Sequence, residues 1–468
     1  MERNIHTDLG IKGFISLSVI TALNLIAQFF VLRLLGSNAI LVISVWDILL
    51  FIIGVNHVMK DIFLLLLIVN LLPLVYFDNI FHYTLPWVLI QDIPLFLLLI
   101  LGLFKAIRDR GISVVRLTYL NRMLYLFGSY FIFLAVLGYF RQRNTTQIFD
   151  ELYHAFYYVF AIVIACLLKN RSDYRKIFFL IIAIGLVVGI ENIYMNLFSG
   201  AKRFVTFQTD ILTLPIGFLF SYLLFFRKNK NIKYYVAFFT LSVIIVGVFV
   251  TLTRSLWISV VVTLVSIFLL YIKHYKKVSL RKVMVYCLLL LIPVLIFSSD
   301  SGQVNSKQGT NTISYRTQSI SNPGSDLSFL MRVEIGYYVI KEFLDEPLFG
   351  SGLGSSVQYK LLAQNGLEIF YPDNSLLYFL WKGGIIGLII FLWLYARFFR
   401  QTLWLVKNST SSEDKVFTFG IWGGMLGLWF SGLFAASLIK YKYGAIIALV
   451  FAYIEFQKQN KQTLKDAR

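Results

Sequence analysis

Arg254, Arg332 and the neighbours Lys202 and Arg203 are the residues whose types and settings suit an anion. Arg254 stands in Thr253-Arg254-Ser255-Leu256-Trp257, a short polar break between two apolar runs, while Lys202 and Arg203 lie in GAKRFVTFQTD and Arg332 in LSFLMRVEIGYY. A guanidinium offers a planar fork of donors that grips phosphate or pyrophosphate oxygens in pairs. Arg254 has a second reading, as an arginine snorkelling from a helix end, and the sequence leaves both open. Pro347 is followed by Gly350, Gly352 and Gly354 in EPLFGSGLGSS. That spacing suits either a simple turn or a turn whose exposed N–H groups hold an anion. It is neither a dinucleotide fingerprint nor a P-loop, because no strand precedes it and no Lys-Ser/Thr follows.

One carboxylate stands out at the mouth of an apolar run, Asp373, followed by Asn374 and preceded by Tyr371-Pro372. It could act as a general base toward a hydroxyl, or it could cap the helix that starts there. Asp47, Asp92, Glu191 and Asp210 lie in or beside apolar runs, where a charge is costly, so each is expected to face a polar cavity; Asp210 is nearest the same face as Arg254. The five histidines form no HExxH, and Cys166 and Cys287 are both inside apolar runs, so neither a metal site nor a disulfide framework is expected.

The elements that carry these residues are set by composition. Of 468 residues 58% are hydrophobic and 14% charged, with a mean hydropathy of +0.75, against about 25% charged residues in a soluble domain. A soluble enzyme is excluded. Runs long enough to cross a bilayer recur near 14–35, 39–58, 61–77, 86–106, 123–140, 149–168, 176–199, 207–226, 235–252, 255–272, 283–299, 375–396, 416–438 and 443–457. The expected fold is therefore all-α, a polytopic membrane protein of about 12–14 transmembrane helices. It divides into an N-terminal bundle (1–297), a large loop (298–374), C-terminal spans (375–457) and a tail (458–468). The N-terminus shows no A-x-A cleavage pattern and reads as a retained first span.

Assigning alternate loops to opposite sides puts 29 of the 43 Lys and Arg residues on one side and 14 on the other. The richer side is cytoplasmic by the positive-inside bias, which places both termini in the cytoplasm and the long loop outside. The net charge of +19 is then topogenic and does not imply nucleic acid. Arg254, Arg332, Lys202 and Arg203 all fall on the outer side, where they could form a basic patch for a lipid phosphate. The first half of the long loop, rich in Ser, Asn, Gly and Thr, cannot bury a core. Beyond it Phe329, Leu330, Val333, Tyr337, Ile340 and Leu344 recur at helical spacing, which predicts an amphipathic helix lying on the membrane surface and bearing Arg332. No internal repeat of the kind inverted-topology transporters display is visible.

Together these pieces resemble the O-antigen ligase and O-antigen polymerase superfamily. The likeness rests on Thr253 to Trp257 opening a span, on the Arg332 helix in a large outer loop, on Pro347 to Gly354 as a P-x-x-G-x-G-x-G turn, and on Asp373-Asn374 before Gly384 to Gly387. It covers about residues 200 to 400 by motif and the remainder by hydropathy. Ligases of the family carry histidine where this chain has Asp373, so the resemblance is to the polymerase branch.

The resemblance implies a metal-independent glycosyltransferase of the bacterial plasma membrane, making O-antigen, capsule or exopolysaccharide. It would transfer glycan from a polyprenyl diphosphate to a sugar hydroxyl on another lipid-linked unit at the outer face. It further implies Arg254, Arg332 and Asp373 as catalytic residues, and Lys202, Arg203, Asp210, Gly350, Gly352, Gly354 and Asn374 as substrate-binding residues. No cofactor is expected. The partners would be the polyprenyl-diphosphate-linked oligosaccharide, membrane lipids, and a chain-length regulator and flippase of the same pathway. The rival readings are a ligase to a lipid or protein acceptor and a transporter or flippase of lipid-linked sugars.

Overall fold

A computed structural model describes residues 119–168, 170–197, 209–225, 232–251, 253–275, 327–359, 367–409, 411–435, 437–439 and 441–466. Lys202, Arg203, Asp47, Asp92, the first four expected spans, the span at 283–299 and the Ser-rich half of the long loop lie outside these residues. Two compact units divide the chain, residues 1–115 with 166–177 and residues 116–165 with 178–468. The functional candidates that are described all belong to the second.

The described residues form α1 (Tyr119–Phe140), α2 (Thr145–Leu167), α3 (Arg171–Leu197), a 3-10 turn (Thr209–Leu212) running into α4 (Thr213–Phe225), α5 (Ile232–Phe249) and α6 (Arg254–Tyr275). Helix α7 (Leu327–Asp345) follows, then β1 (Val357–Tyr359), β2 (Leu367–Ile369), α8 (Ser375–Asn408), α9 (Ser412–Ser431) and α10 (Tyr441–Asp466). Six of these, α1, α2, α3, α5, α6 and α8, are long and apolar enough to cross a membrane. The chain is an all-α polytopic membrane protein, and the helices fall on the apolar runs within a few residues at most ends. Three ends differ. The run at 416–438 stops as a helix at Ser431, where the chain turns through Gly432, α8 continues past 396 to Asn408, and α10 continues past 457 to Asp466. Its added turns are held by polar side chains, with Lys461 Nζ donating to Asn408 O at 2.6 Å.

Small residues bring the helices together. α9 reads FGIWGGMLG along one stretch, and a methyl group on Gly420 or Gly424 would come within 2.6 Å of Phe218 Cδ1 or 2.8 Å of Leu214 Cα. In lipid, where apolar side chains gain little by leaving their solvent, such close backbone contact supplies the association energy. Residues around 141–154, 346–355, 371–375 and 431–438 lie at one end. Asn408 and Ser409 meet Lys461, and Asp414 meets Gln457, at the other.

The expected loop after α7 contains a two-stranded antiparallel pair, β1 with β2, in the register Val357 to Ile369 and Gln358 to Glu368. The alternation is that of a half-buried strand: Val357 is buried while Gln358 and Glu368 are exposed. α7 leans on this pair through Ile335 and Val339, which pack with Val357 and Trp381. Its predicted stripe of Phe329, Leu330, Val333, Tyr337, Ile340 and Leu344 faces outward, as a helix lying in a membrane interface requires.

Candidate active site

The site is built around a break in α8. That helix is interrupted at Gly384, whose φ of 60° and ψ of −165° leave the helical region, and the interruption strands backbone groups that a helix normally pairs internally. The glycine turn after α7 fills the gap. Ser351 N donates to Trp381 O at 2.8 Å and Gly352 N to Lys382 O at 3.0 Å, while Ile385 N donates back to Pro347 O at 2.9 Å. The fit demands bare backbone. Gly350 (φ +69°) has no room for a side chain, since a Cβ there would lie 2.6 Å from Lys382 C.

The amides of Gly350, Gly352 and Gly354 are thereby spent inside the protein, on Glu346 O, Lys382 O and the Glu151 carboxylate respectively. All three glycines are buried. The turn does cradle an anion, but it is the protein's own: Gly354 N donates to Glu151 Oε2 at 3.0 Å. Glu151 Oε1 in turn accepts from Lys382 Nζ at 2.8 Å, and Lys382 also donates to Ser355 O. Glu151 and Lys382 are 0% and 1% exposed. An ion pair so deep persists because its hydrogen bonds are filled from both sides. Arg141 adds an outer clasp, pairing with Glu346 and donating to Gly350 O at 2.6 Å.

Arg332 and Asp373 meet above this knot. α7 carries Arg332 to the segment between β2 and α8, where its Nε lies 3.3 Å from Asp373 Oδ2, both side chains about half exposed at 43% and 53%. The cap of α8 is Asn374, whose side chain accepts from Leu376 N at 2.8 Å and Leu377 N at 3.1 Å. Of the two readings of Asp373, capping therefore falls away, and its carboxylate is available for chemistry. Asn374 Oδ1, in turn, is committed to the helix start.

Asp210 accepts from Ser431 Oγ at 2.9 Å and Ser437 Oγ at 2.6 Å. Gly432 next to Ser431 accepts from Ser375 N at 2.8 Å, so Asp210 braces the turn on which the head of α8 rests. Arg254 begins α6 at the same end. Four to five residues below it, Ser259 lies against Gly427, one turn below Ser431. Its neighbour Trp257 is fixed by stacking on Phe249 and by an Nε1 bond to Phe249 O at 3.2 Å.

A second polar group went unread in the sequence. Tyr371 donates to Asp150 Oδ2 at 2.7 Å, accepts from Gln147 Nε2 at 3.1 Å and lies 3.2 Å from His154 Nδ1. Burial first, then Tyr378 and the carboxylates Glu151 and Asp150, push the Tyr371 hydroxyl well up, so it stays a donor. Gln147, Asp150, Glu151 and His154 fall at i, i+3, i+4 and i+7 on α2, one face of the helix. That stripe was the available signal, together with Lys382 within an apolar run.

Residues 239–392 match the family model described as O-antigen ligase. Over those residues the chain is similar to the O-antigen ligase and polymerase superfamily. The match spans from within α5 to the middle of α8 and so takes in Arg254, Arg332, the glycine turn, Asp373 and Asn374, but neither Asp210 nor the α2 stripe. No curated protein matches the chain. The match supports a membrane enzyme of glycosyltransferase type, and the six long apolar helices are consistent with a multi-pass protein.

Proposed function

We propose that this protein is a polysaccharide polymerase of the O-antigen ligase superfamily. It moves a growing glycan from its polyprenyl diphosphate to a hydroxyl on another lipid-linked repeat unit, at the outer face of a bacterial plasma membrane. The observation that carries the reading is the exposed pairing of Arg332 with Asp373 inside the matched segment. A guanidinium for the leaving diphosphate and a carboxylate for the incoming hydroxyl stand side by side, as the reaction needs.

In this reading Arg254 and Arg332 grip the diphosphate, with Lys202 and Arg203 adding charge where the donor enters. An exposed ion pair is worth about 0–1 kcal/mol, so a diphosphate, with more charge and bidentate geometry, takes Arg332 from Asp373 and frees the carboxylate. The acceptor O–H proton then passes to Asp373 as the acceptor oxygen bonds to the anomeric carbon. The anomeric C–O bond to phosphate breaks, and its electron pair leaves on the diphosphate, which the arginines stabilise. Attack opposite the leaving group inverts the anomeric centre. The bond energy is already in the donor, so the arginines do the work a metal would do elsewhere. Asp210 and the glycines support the site from behind. A chain-length regulator and a flippase would work alongside it.

A second reading, transfer of finished glycan to a lipid or protein acceptor, draws on the ligase description of the matched family. A length profile of polyprenyl-linked glycan from cells carrying wild-type protein or Arg332→Ala separates the two. Collapse to single repeat units outside the membrane is expected. Long lipid-linked chains accumulating unattached would support ligation, unchanged chains would remove the arginine site, and units trapped inside would support a flippase.

A further inference from the structure

The proposed mechanism leaves one open carboxylate unused. Asp150, on the outer end of α2, keeps 36% of its side chain exposed, while its neighbour Glu151 is wholly buried and paired. Its Oδ2 is oriented by two donors, the Tyr371 hydroxyl at 2.7 Å and the Gln147 amide at 3.2 Å. Among the described residues its Oδ1 faces His154 Nε2, at 3.6 Å, beyond hydrogen-bonding range. A carboxylate accepts at about four lone-pair sites, so two or more remain to be filled from outside. Among the described residues no lysine or arginine forms an ion pair with it; the groups around it aim it without neutralising it.

The surroundings match a neutral polyol better than an anion or a metal. Gln147 spends both amide hydrogens on Asp150 and Tyr371, and Tyr371 spends its hydroxyl hydrogen on Asp150, so the cluster turns acceptors outward, the Gln147 carbonyl and the Asp150 carboxylate, which suit the O–H donors of a polyol. Tyr371 also stacks on Tyr378, with rings 5.8 Å apart and 7° from parallel, which fixes the phenol in place. Tyr371 is two residues from Asp373, so their backbones lie within about 7 Å of each other.

We infer that Gln147, Asp150 and Tyr371 form the subsite for the acceptor sugar, holding ring hydroxyls of the incoming repeat unit so that its reacting hydroxyl meets Asp373. The inference rests on the glycan-transfer reading above. It adds a division of labour: Arg332 and Arg254 hold the donor's phosphates, and the α2 stripe holds the acceptor's hydroxyls.

The test uses full-length protein in detergent, with lipid-linked single repeat units extracted from Arg332→Ala cells as acceptor and preformed lipid-linked chains as donor. Asp150→Asn should raise the acceptor KM about ten-fold or more and change kcat less than about three-fold, the mark of lost uniform binding. Release of polyprenyl diphosphate from donor alone, without acceptor, should be unchanged. Gln147→Ala, which removes a half-exposed side chain, should move KM the same way by a smaller factor and covers the case in which Asp150→Asn fails to fold. If Asp150 merely anchors Tyr371, Asp150→Asn and Tyr371→Phe will lower the melting temperature alike with acceptor KM untouched, and the subsite is overturned. Equal loss of donor-only release and transfer also overturns it. No transfer by the wild-type protein would instead overturn the glycan-transfer reading, and the subsite with it.

Discussion

Two ion pairs, one anchored on Asp373 and the other on Lys382 in the next turns of the chain, do opposite things. Lys382 and Glu151 are sealed, with every neighbouring hydrogen bond directed at holding a turn in a broken helix. Arg332 and Asp373 are half exposed and joined by a single 3.3 Å contact. The same charges cost several kcal/mol per ion to bury and little to leave at the surface. Burial therefore makes the first pair an irreversible part of the frame, and exposure makes the second free to change partners when a stronger anion arrives.

The contrast is sharpest where one partner is removed. Lys382→Ala or Glu151→Ala leaves an uncompensated buried charge, expected to cost about 3–5 kcal/mol and to be read as lost folded yield and a lower thermal transition in detergent. The double substitution Glu151→Leu with Lys382→Met should recover most of that loss, since apolar replacements of a buried pair are close to neutral. A milder break comes at the turn itself. Gly384→Ala forces a side chain into a backbone conformation with φ of 60° and against the Leu348 carbonyl, expected to cost at least about 1–3 kcal/mol and to raise protease cutting within 346–355. At the exposed pair, Arg332→Ala or Asp373→Asn should shift stability by less than about 1 kcal/mol while removing polymer. A melting curve that moved as far for Arg332→Ala as for Lys382→Ala would erase the distinction.

The sequence carries the spans well because each is a local property, a run of apolar residues of sufficient length. It also carries the helix bearing Arg332 and the anion-binding chemistry of that side chain. What it cannot carry is which distant residue answers which. Glu151 and Lys382 are 231 positions apart, and no periodicity within either segment points to the other. The glycine turn was open to two readings because bare amides look alike whether they meet a ligand or a broken helix; only the kink at Gly384 decides where those donors go. Asp373 was likewise open to two readings, base or cap, until the backbone gave the cap to Asn374. The α2 stripe was legible in principle, since Gln147, Asp150, Glu151 and His154 make a polar line along an otherwise apolar helix, and a spanning helix turns such a line toward protein or water.

The broken helix also sets an order of assembly. Ribosomes deliver chains from the N-terminus, so the segment Pro347–Gly354 is made before Ser375–Asn408. The amides of Ser351 and Gly352 have no partners until Trp381 and Lys382 arrive, whereas the carbonyl of Leu134, which accepts from Leu353 N at 3.2 Å, stands on a helix completed more than two hundred residues earlier. The glycine turn thus cannot close fully while its own segment is being made. It closes when the following helix supplies those two carbonyls, so the turn and the broken helix take their final form together.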